Sequence, residues 1–250
     1  MQVLVLGANG ATGFNVVVQL LNKGMHVKAM ARRVEKFDSI KDRDQLETIH
    51  AGILEIETQK LKQHLSDADG VISCLGHNIT LKGIFGRPYR LVTDALIRIV
   101  DCVNEMNKNK TLKLMLMSTT GCINKLQNEG FGKAEDIVMR IMRNLLPPQR
   151  DNESALGYLI DKVGMRNERI EWIAVRPDTL INESKVSEYA VLPSTIRSPV
   201  FDAGRTSRIN VADFMARLLE DKGLWERWKY RTPVIYNKES LKPGQAAPRM

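Results

Sequence analysis

Residues 2–13 read QVLVLGANGATG, an apolar segment that runs directly into a turn with three glycines. A short apolar run that stops at glycine is typical of a strand buried on both of its faces. Beyond the turn, apolar residues recur at helical spacing and predict a helix that ends at Gly24. These residues are Phe14, Val17, Val18 and Leu21. The stretch therefore predicts a buried strand, a glycine-rich turn and a helix, in that order.

Each glycine of this turn has a separate physical role when a dinucleotide binds. Gly7 permits the tight turn, Gly10 lets the backbone approach a pyrophosphate, and Gly13 lets the helix pack close to the strand. The start of the helix adds free amide donors and a partial positive charge, which favour phosphate groups. We therefore predict a dinucleotide whose phosphates contact the turn. The contacts are expected at Gly7, Asn9, Gly10, Ala11, Thr12 and Gly13.

The rest of the chain continues the alternation of strands and helices. Further strands are predicted at 27–31, 47–53, 70–76, 112–117 and 170–175. Amphipathic helices are predicted at 92–103 and 211–219, the second capped by Asn210 with Asp213 in its first turn. This order predicts an α/β fold, a Rossmann-type doubly wound parallel sheet, whose ligands bind outside the strands' carboxyl ends. The candidate cofactor contacts lie at or just beyond the carboxyl ends of the predicted strands, and they are Arg32, Arg33, Ile53, Leu54, Leu75, Gly76, Ser118, Thr119 and Pro177.

We predict one domain over residues 1–240, with small substrate-side insertions and a flexible tail at 241–250. The insertions, 121–151 and 182–208, interrupt the alternation of strands and helices. The first contains a basic helix at 133–146 that two prolines end, and the second is irregular and polar. Both follow carboxyl ends of strands, so we expect both to overhang the cofactor site.

Two arginines, Arg32 and Arg33, stand at the end of the second predicted strand. A site for NAD would have an Asp or Glu near this position, where its carboxylate binds the ribose. Guanidinium groups instead suit the 2′-phosphate of NADP and can stack on adenine. We therefore predict NADP(H) as the cofactor. The alternative is that the two arginines form a solvated basic turn.

Composition limits the other classes of function. The net charge of the 250 residues is +8, but the basic residues are spread out without a nucleic-acid-binding motif, so no nucleic-acid partner is predicted. No apolar run approaches the roughly 20 residues needed to cross a bilayer, and residues 1–6 do not resemble an export signal. Cys74, Cys102 and Cys122 are too scattered for a disulfide framework or a metal site. We predict reduced, buried thiols in a cytoplasmic protein that contacts no membrane.

Five segments resemble the atypical short-chain dehydrogenase/reductases, and most nearly the NmrA-like and biliverdin-reductase-B-like NAD(P)-binding proteins. They are GANGATG at 7–13, ARR at 31–33, VISCLG at 71–76, MST at 117–119 and VRP at 175–177. The resemblance extends to about residue 235, and it implies a Rossmann fold, bound NADP(H) and often reductase activity, without indicating a substrate. One departure concerns adenine: the family usually has Gly-Asp after the third strand, whereas Gly52 is followed by Ile53.

A second departure concerns catalysis. Ordinary reductases of the family carry a catalytic Tyr with a Lys four residues later. By spacing, those places fall near Gln149 and Glu153, which cannot do that chemistry. Tyr158 and Lys162 match the pattern about two helical turns further on, where the spacing puts both side chains on one helix face. A chance match is the alternative.

Ser118 is a further catalytic candidate, because its hydroxyl could polarise a carbonyl beside the nicotinamide. Its alternative role is to cap the strand end. His77 could be an acid or a phosphate ligand, or a plain polar residue of the loop. The candidate catalytic set is thus Ser118, Tyr158 and Lys162.

These residues predict an NADP(H)-dependent reductase that transfers hydride to a small or planar organic substrate. The alternative is a non-catalytic, NmrA-like protein that senses NADP(H), which the missing Tyr/Lys pair and the basic helix favour. A nucleotide-sugar epimerase or dehydratase is a third hypothesis, but the chain is short for that class. The sequence does not indicate an oligomeric state.

Overall fold

The computed structural model describes residues 1–77, 86–106, 110–127 and 129–242. Its strands are β1 (Gln2–Leu6), β2 (His26–Ala31), β3 (Leu46–His50), β4 (Gly70–Ser73), β5 (Leu112–Met117), β6 (Ile170–Pro177), β7 (Thr179–Ile181), β8 (Tyr189–Leu192), β9 (Arg205–Ser207) and β10 (Val234–Asn237). Its α-helices are α1 (Ala11–Asn22), α2 (Thr58–Ser66), α3 (Leu91–Glu105), α4 (Lys133–Leu145), α5 (Pro147–Tyr158), α6 (Arg208–Glu220) and α7 (Lys222–Trp228). A π turn (Leu159–Val163) follows α5, and 3-10 turns span Glu35–Ile40, Lys125–Gln127 and Lys238–Ser240.

The central sheet determines where a ligand can bind. In the described part of the chain it has eight strands, in the order β3-β2-β1-β4-β5-β6-β10-β8, and only β8 runs antiparallel to its neighbour. Helices α1, α6 and α7 cover one face, and α2, α3 and α5 cover the other. Because β1 lies between β2 and β4, the crevice for a ligand lies at the carboxyl ends of β1 and β4. The predicted Rossmann-type α/β fold is confirmed.

Two predicted strands are shorter in the structure. β3 ends three residues early because the chain turns at Gly52, whose carbonyl accepts a hydrogen bond from the Glu55 amide at 3.1 Å. β4 also ends three residues early, at Ser73. As a result, Ile53 and Leu75 belong to loops beyond the strand ends and not to the sheet.

The predicted cap of the last amphipathic helix is wrong. α6 begins at Arg208, and Ser207 caps it by accepting a hydrogen bond from the Asn210 amide at 3.2 Å. Asn210 lies inside the first turn, where its side-chain amide donates to Ser187 Oγ and Asn237 Oδ1, each at 2.8 Å. The asparagine therefore ties the end of β10 to α6 instead of capping the helix.

The two insertions contain more regular structure than predicted. The helix in 121–151 is present as α4, and Pro147 and Pro148 follow its end. The same prolines begin α5, because proline fits the first turn of a helix. Residues 182–208 are predicted to be irregular, yet β8 and β9 lie within them and β8 forms an edge of the main sheet.

A buried ion pair fastens the first insertion to β6. Arg176 is fully buried and donates to both carboxylate oxygens of Glu129 at 2.6 Å, and its Nε donates to the Thr232 carbonyl at 2.8 Å. Burial raises the pKa of Glu129, but the hydrogen bonds from Arg176 and from the Asn124 amide outweigh it, so this pKa lies below its usual value. The segment after β5 is thereby held at the carboxyl end of β6.

The chain's last residues are only partly described. Of the predicted flexible tail, residues 243–250 lie outside the described residues, whereas the Leu241 amide donates to the Lys238 carbonyl at 3.0 Å. Among the described residues, no helix has the length and apolar character needed to cross a membrane.

Candidate functional site

The glycine turn between β1 and α1 presents backbone groups to the crevice. Gly7 has φ +68°, a left-handed conformation that glycine adopts without strain. The Gly10 amide donates to the Gly7 carbonyl at 2.9 Å. A Cβ on Gly13 would lie 2.2 Å from the Gly7 oxygen, so no side chain fits between helix and turn. A Cβ on Gly10 would meet only that oxygen, at 3.1 Å, and Gly10 otherwise faces the cleft.

The first turn of α1 is suited to phosphate groups. Gly10 precedes the helix without a capping side chain, and the first turn carries no acidic residue. The amides of Ala11, Thr12 and Gly13 have no partner within the helix and lie at the positive end of its dipole. Asn9 lines the cleft beside them. The structure thus brings the predicted phosphate contacts together.

The cleft beside the glycine turn has a volume of about 260 Å³ and extends to the ends of β2, β3 and β4. Its described charged lining residues are Arg32, Arg33 and Glu55. Neither guanidinium forms an ion pair with any described residue, although other arginines of the chain do. Both arginines are exposed, and the His50 ring contacts the Arg32 carbonyl through Nε2 at 3.0 Å. This end of the cleft can therefore bind an anion.

Sequence reasoning missed Glu55, whose carboxylate lies over Gly52. A Cβ on Gly52 would come within 1.8 Å of Glu55 Oε2, so glycine makes room for this carboxylate. Arg98 of α3 holds the turn by donating to the Ile53 carbonyl at 2.9 Å. Ile53 lines the cleft as predicted, whereas Leu54 packs against the apolar cluster under α2 and α3. The family's Asp is absent after Gly52, but Glu55, three residues after this glycine, places a carboxylate in the wall of the cleft.

Residues after β4 form the next part of the wall. Leu75 and Gly76 line the cleft, as predicted. The pairing of Leu6 with Ser73, and of Ser73 with Leu116, puts the ends of β1, β4 and β5 level with one another. A ligand on the glycine turn therefore lies close to the loops after β4 and β5.

Ser118 directly follows β5, and its amide donates to the Val175 carbonyl of β6 at 2.8 Å. The Thr120 amide donates to the Pro177 carbonyl at 3.2 Å, so the predicted residues Ser118, Thr119 and Pro177 lie together. The Ser118 hydroxyl is buried and has no hydrogen-bond partner of ordinary geometry among the described residues. It lies beside the Cys122 thiol, a weak hydrogen-bond partner, and Ser118 is not among the residues that line the cleft.

The cysteines near the site are not nucleophiles. Burial raises the pKa of Cys74, which lines the cleft, to about 12. Burial also raises the pKa of Cys122, beside Ser118, to about 12. Both thiols stay protonated at neutral pH and have little nucleophilic thiolate. All three cysteines of the chain are free and buried, as predicted.

The structure does not bring Tyr158 and Lys162 to this site. Tyr158 ends α5, nine residues after Gln149, which puts it about 14 Å further along the helix axis. Burial, with a smaller contribution from Asp101 of α3, raises the pKa of the Tyr158 phenol. Lys162 is exposed in the π turn. Residues four apart share a face in an α-helix, but they do not in a π turn.

Gln149 and Glu153 occupy the places where spacing puts the family's Tyr and Lys. Gln149 Nε2 donates to the Gly121 carbonyl at 2.9 Å and to Glu153 Oε1 at 3.0 Å. Glu153 also forms an ion pair with Arg143 of α4. The start of α5 therefore faces the loop after β5, but it presents an amide and a paired carboxylate instead of a phenol and an ammonium group.

Asp151, in the same turn of α5 as Gln149, is a buried carboxylate that sequence reasoning missed. It accepts hydrogen bonds from the amides of Val92 at 2.8 Å and Thr93 at 3.0 Å, and from Thr93 Oγ1 at 2.6 Å. Its fourth partner is His77 Nε2, at 2.9 Å. Asp151 thus caps α3 from a different helix, and no local sequence pattern connects these distant positions.

Three features beside the crevice define a dinucleotide-binding protein: the glycine turn at the switch point of a doubly wound sheet, the free amides at the start of α1, and two arginines that pair with no described carboxylate. The model of the NAD(P)H-binding family matches residues 7–222. The chain therefore belongs to the NAD(P)H-binding family, and its cofactor is a nicotinamide dinucleotide. The resemblance to atypical short-chain dehydrogenase/reductases is confirmed at this level.

Individual relatives are distant in sequence. An uncharacterized chloroplastic protein of Arabidopsis thaliana is 23% identical over 220 residues, which cover 86% of this chain and 77% of the relative. A short-chain dehydrogenase/reductase from Veillonella parvula, solved in complex with NADP, has a TM-score of 0.65 at 17% identity and covers 100% of this chain and 99% of its own. ChuY, an anaerobillin reductase from Escherichia coli O157:H7, has a TM-score of 0.65 at 14% identity, covering 98% and 100%. These solved structures share the fold of this chain.

Proposed function

We propose that the chain is an NADP(H)-dependent oxidoreductase that reduces a small or planar organic substrate. The observation that carries the proposal is that Arg32 and Arg33 line the same cleft as the glycine turn and form no ion pair with the residues that the structure describes. The NADP complex of the Veillonella parvula protein and the reductase activity named for ChuY support the proposal by analogy of fold. The three free, buried thiols suit the reducing conditions of cytoplasm.

The charge of the cleft favours NADP(H) over NAD(H). Its two arginines outnumber its one described carboxylate, Glu55. A 2′-phosphate can bind between the guanidiniums through charge-assisted hydrogen bonds, and Arg32 or Arg33 can also stack on adenine. In this arrangement Ile53, Leu75 and Gly76 enclose the adenosine half, and residues of the glycine turn bind the pyrophosphate.

The Ser118 side of the crevice is the proposed place of reaction. A reduced nicotinamide supplies hydride when it is bound. Thr119 and Pro177 then shape the pocket for its ring, and the buried Ser118 hydroxyl donates a hydrogen bond to the oxygen of the acceptor as negative charge develops there. We assign no catalytic role to Tyr158 or Lys162, because Tyr158 ends α5 away from the crevice and Lys162 lies in the π turn beyond it.

A second candidate function is a non-catalytic NADP(H)-binding regulator. The specific observation is that Gln149 and Glu153 stand where the family's reductases have Tyr and Lys, and that both are engaged with neighbours. Such a protein binds the cofactor with the same preference, yet it does not oxidise NADPH in the presence of any acceptor.

The experiment begins with NADPH and NADH titrations followed by intrinsic fluorescence. We expect NADPH to bind at least tenfold more tightly, a difference of about 1.4 kcal/mol. Arg33→Asp should remove this preference, whereas Arg43→Asp, with the same charge change on an exposed residue outside the cleft, should keep it. Equal affinities of the wild type for NADPH and NADH contradict the assignment of NADP(H).

NADPH oxidation is then measured against quinones, flavins and carbonyl compounds. Turnover with any of them supports the oxidoreductase. Tight NADPH binding without turnover across all three classes favours the regulator instead.

A further inference from the structure

A second cleft, of about 560 Å³, lies where α4, α5 and the chain before α3 meet. Three arginines line it, Arg90, Arg143 and Arg150, and so does Tyr89. Its volume is in the range of pockets that hold small organic molecules. A basic cleft of this size suits an organic ligand that carries a negative charge.

The arginines of this wall outnumber the carboxylates that a ligand could meet. Asp151 is the one acidic lining residue among those described, and its carboxylate is fully buried, where two amides at the start of α3 donate to it. It is therefore closed to a ligand. Two of the arginines have carboxylate partners outside the wall, because Arg90 pairs with Asp94 at 3.4 Å and Arg143 pairs with Glu153.

Arg150 is the arginine of this wall that remains for a ligand. It is exposed, and its guanidinium forms no ion pair or hydrogen bond with any residue that the structure describes. Asn144 and Ser154 line the same cleft and add an amide and a hydroxyl that can donate hydrogen bonds. One unpaired positive charge beside neutral donors suits a singly charged group, such as a carboxylate, better than a doubly charged phosphate.

Tyr89 gives the second cleft an aromatic side chain. It is 47% exposed, and its ring packs against no aromatic ring of the described residues. An exposed aromatic side chain binds a flat ring by offset stacking. Arg90, the next residue, can place its guanidinium plane against the same ring. A ligand that uses both Tyr89 and Arg150 is therefore a planar ring compound with an acidic group.

The second cleft adjoins the cleft beside the glycine turn. Within residues 88–91, the outer two, Pro88 and Leu91, line the cleft of the glycine turn, and the two between them line the second cleft. The opposite wall, α5, contacts the loop after β5, because Gln149 Nε2 donates to the Gly121 carbonyl at 2.9 Å. The second cleft therefore borders the proposed cofactor site and the helix that faces the proposed place of reaction.

We infer that the second cleft binds the organic substrate, and that this substrate is a planar ring compound with a carboxylate or a similar singly charged acidic group. The inference rests on the proposed oxidoreductase function and adds the chemical class of the substrate to it. Arg150 pairs with the acidic group and Tyr89 stacks on the ring, while the cofactor occupies the neighbouring cleft. Both residues determine specificity and take no part in the chemical step.

The first measurement is a calorimetric titration of the protein, saturated with NADP⁺, with 2-naphthoate and with 2-naphthamide. The two probes share one ring system and differ in the charge of the substituent. We expect 2-naphthoate to bind about tenfold more tightly, because its carboxylate pairs with a guanidinium. Arg150→Gln should remove this preference, and Arg150→Lys, which keeps the charge, should retain part of it. Equal affinities of the wild type for the two probes overturn the inference.

Arg166→Gln is the matched control. Arg166 is also exposed, has no partner among the described residues and lines neither cleft, so its substitution should keep the preference for 2-naphthoate. Tyr89→Ala should weaken the binding of both probes about tenfold, whereas Tyr89→Phe keeps the ring and should bind both as the wild type does. A preference that survives in Arg150→Gln means that the acid binds elsewhere, and the inference is then wrong.

The second measurement is the KM for two acceptors in NADPH oxidation, the planar acid anthraquinone-2-sulfonate and menadione, a quinone without an acidic group. We expect Arg150→Gln to raise the ratio of the first KM to the second about tenfold, and Arg166→Gln to leave it unchanged. An unchanged ratio in Arg150→Gln contradicts the assignment of the second cleft to the substrate. If NADPH binds and 2-naphthoate does not, only this inference fails. If 2-naphthoate binds through Arg150 and NADPH does not bind, the proposed function fails, and the acid is not its substrate.

Discussion

Two glycines of one turn allow the fold and cofactor binding to be perturbed separately. At Gly13 an added Cβ would lie 2.2 Å from the Gly7 oxygen, well under the 3.0 Å that real Cβ atoms keep. Gly13→Ala must therefore move α1 or the turn by roughly 1 Å, and overpacking of this kind costs about 1–3 kcal/mol. For a chain of this size, we expect the Tm to fall by about 2–12 °C.

At Gly10 the same addition has a different consequence. The Cβ would meet the Gly7 oxygen at 3.1 Å, and the backbone angles of φ −66° and ψ 163° are open to any residue. This contact is tight but needs a shift of only a few tenths of an ångström, so Gly10→Val should lower the Tm much less than Gly13→Ala does. The valine side chain projects into the path of the pyrophosphate, which would otherwise accept charge-assisted hydrogen bonds from the helix amides. The loss of even two such bonds predicts at least about hundredfold weaker NADPH binding.

The assay combines thermal unfolding without ligand and NADPH titration by fluorescence, on both variants and on Gly132→Val. Gly132 is a matched control, because it precedes α4 with similar backbone angles, φ −62° and ψ 157°, and has open space around it. The control should change neither quantity. Normal NADPH affinity in Gly10→Val would mean that the phosphates bind elsewhere, and an unchanged Tm in Gly13→Ala would refute the packing argument.

Three further variants test the groups around the crevice. Ser118→Ala should cut turnover by about a hundredfold with little change in NADPH affinity, because one preorganised donor to the acceptor oxygen is lost. Tyr158→Phe should keep most of the turnover. If Tyr158→Phe abolishes turnover and Ser118→Ala does not, the Tyr/Lys hypothesis is restored. Glu129→Ala should lower the free energy of unfolding by about 3–5 kcal/mol, because it leaves the Arg176 charge buried without its partner. The pKa of Glu129 is lower in the folded state, so the ionised carboxylate stabilises the fold fully above the unfolded pKa of about 4.3. This stabilisation is lost as the pH falls through the folded pKa. Urea unfolding at several pH values measures the loss.

The parts of the fold that sequence could predict are those in which local pattern and burial agree. β1, the glycine turn and α1 are adjacent in the chain. Helices cover both faces of the sheet at β1, and its four buried residues are all apolar. The edge strand β3 has mainly exposed or half-buried residues, so the pattern of apolar residues does not indicate where this strand ends. β10 has only four residues, one of them Asn237, and it is a strand because β6 and β8 pair with it.

The candidate site also has a part that sequence could predict and a part that only the folded structure identifies. The predicted phosphate contacts of the glycine turn lie within seven consecutive residues, and Arg32 and Arg33 follow the next strand, so spacing alone was enough to predict them. Asp151 is recognisable only when α5 has been placed against α3, because its partners are 58 and 59 residues away in the chain. Tyr158 and Lys162 show the opposite case: their spacing matches a motif, but Tyr158 lies at the far end of α5 and Lys162 lies in the π turn beyond it.

The first turns of α5 provide the physical basis for choosing between an enzyme and a regulator. A phenol and an ammonium group at positions 149 and 153 would supply the proton from this helix, but Gln149 and Glu153 hold neighbouring loops together instead. Reduction therefore requires hydrogen-bond donors from other elements, and the loop after β5 offers Ser118. If the proposed oxidoreductase function holds, Ser118→Ala should slow turnover while NADPH affinity stays constant. A natural regulator would instead bind NADPH identically in the wild type and in Ser118→Ala and would turn over in neither form, which a single set of titrations and rate measurements distinguishes.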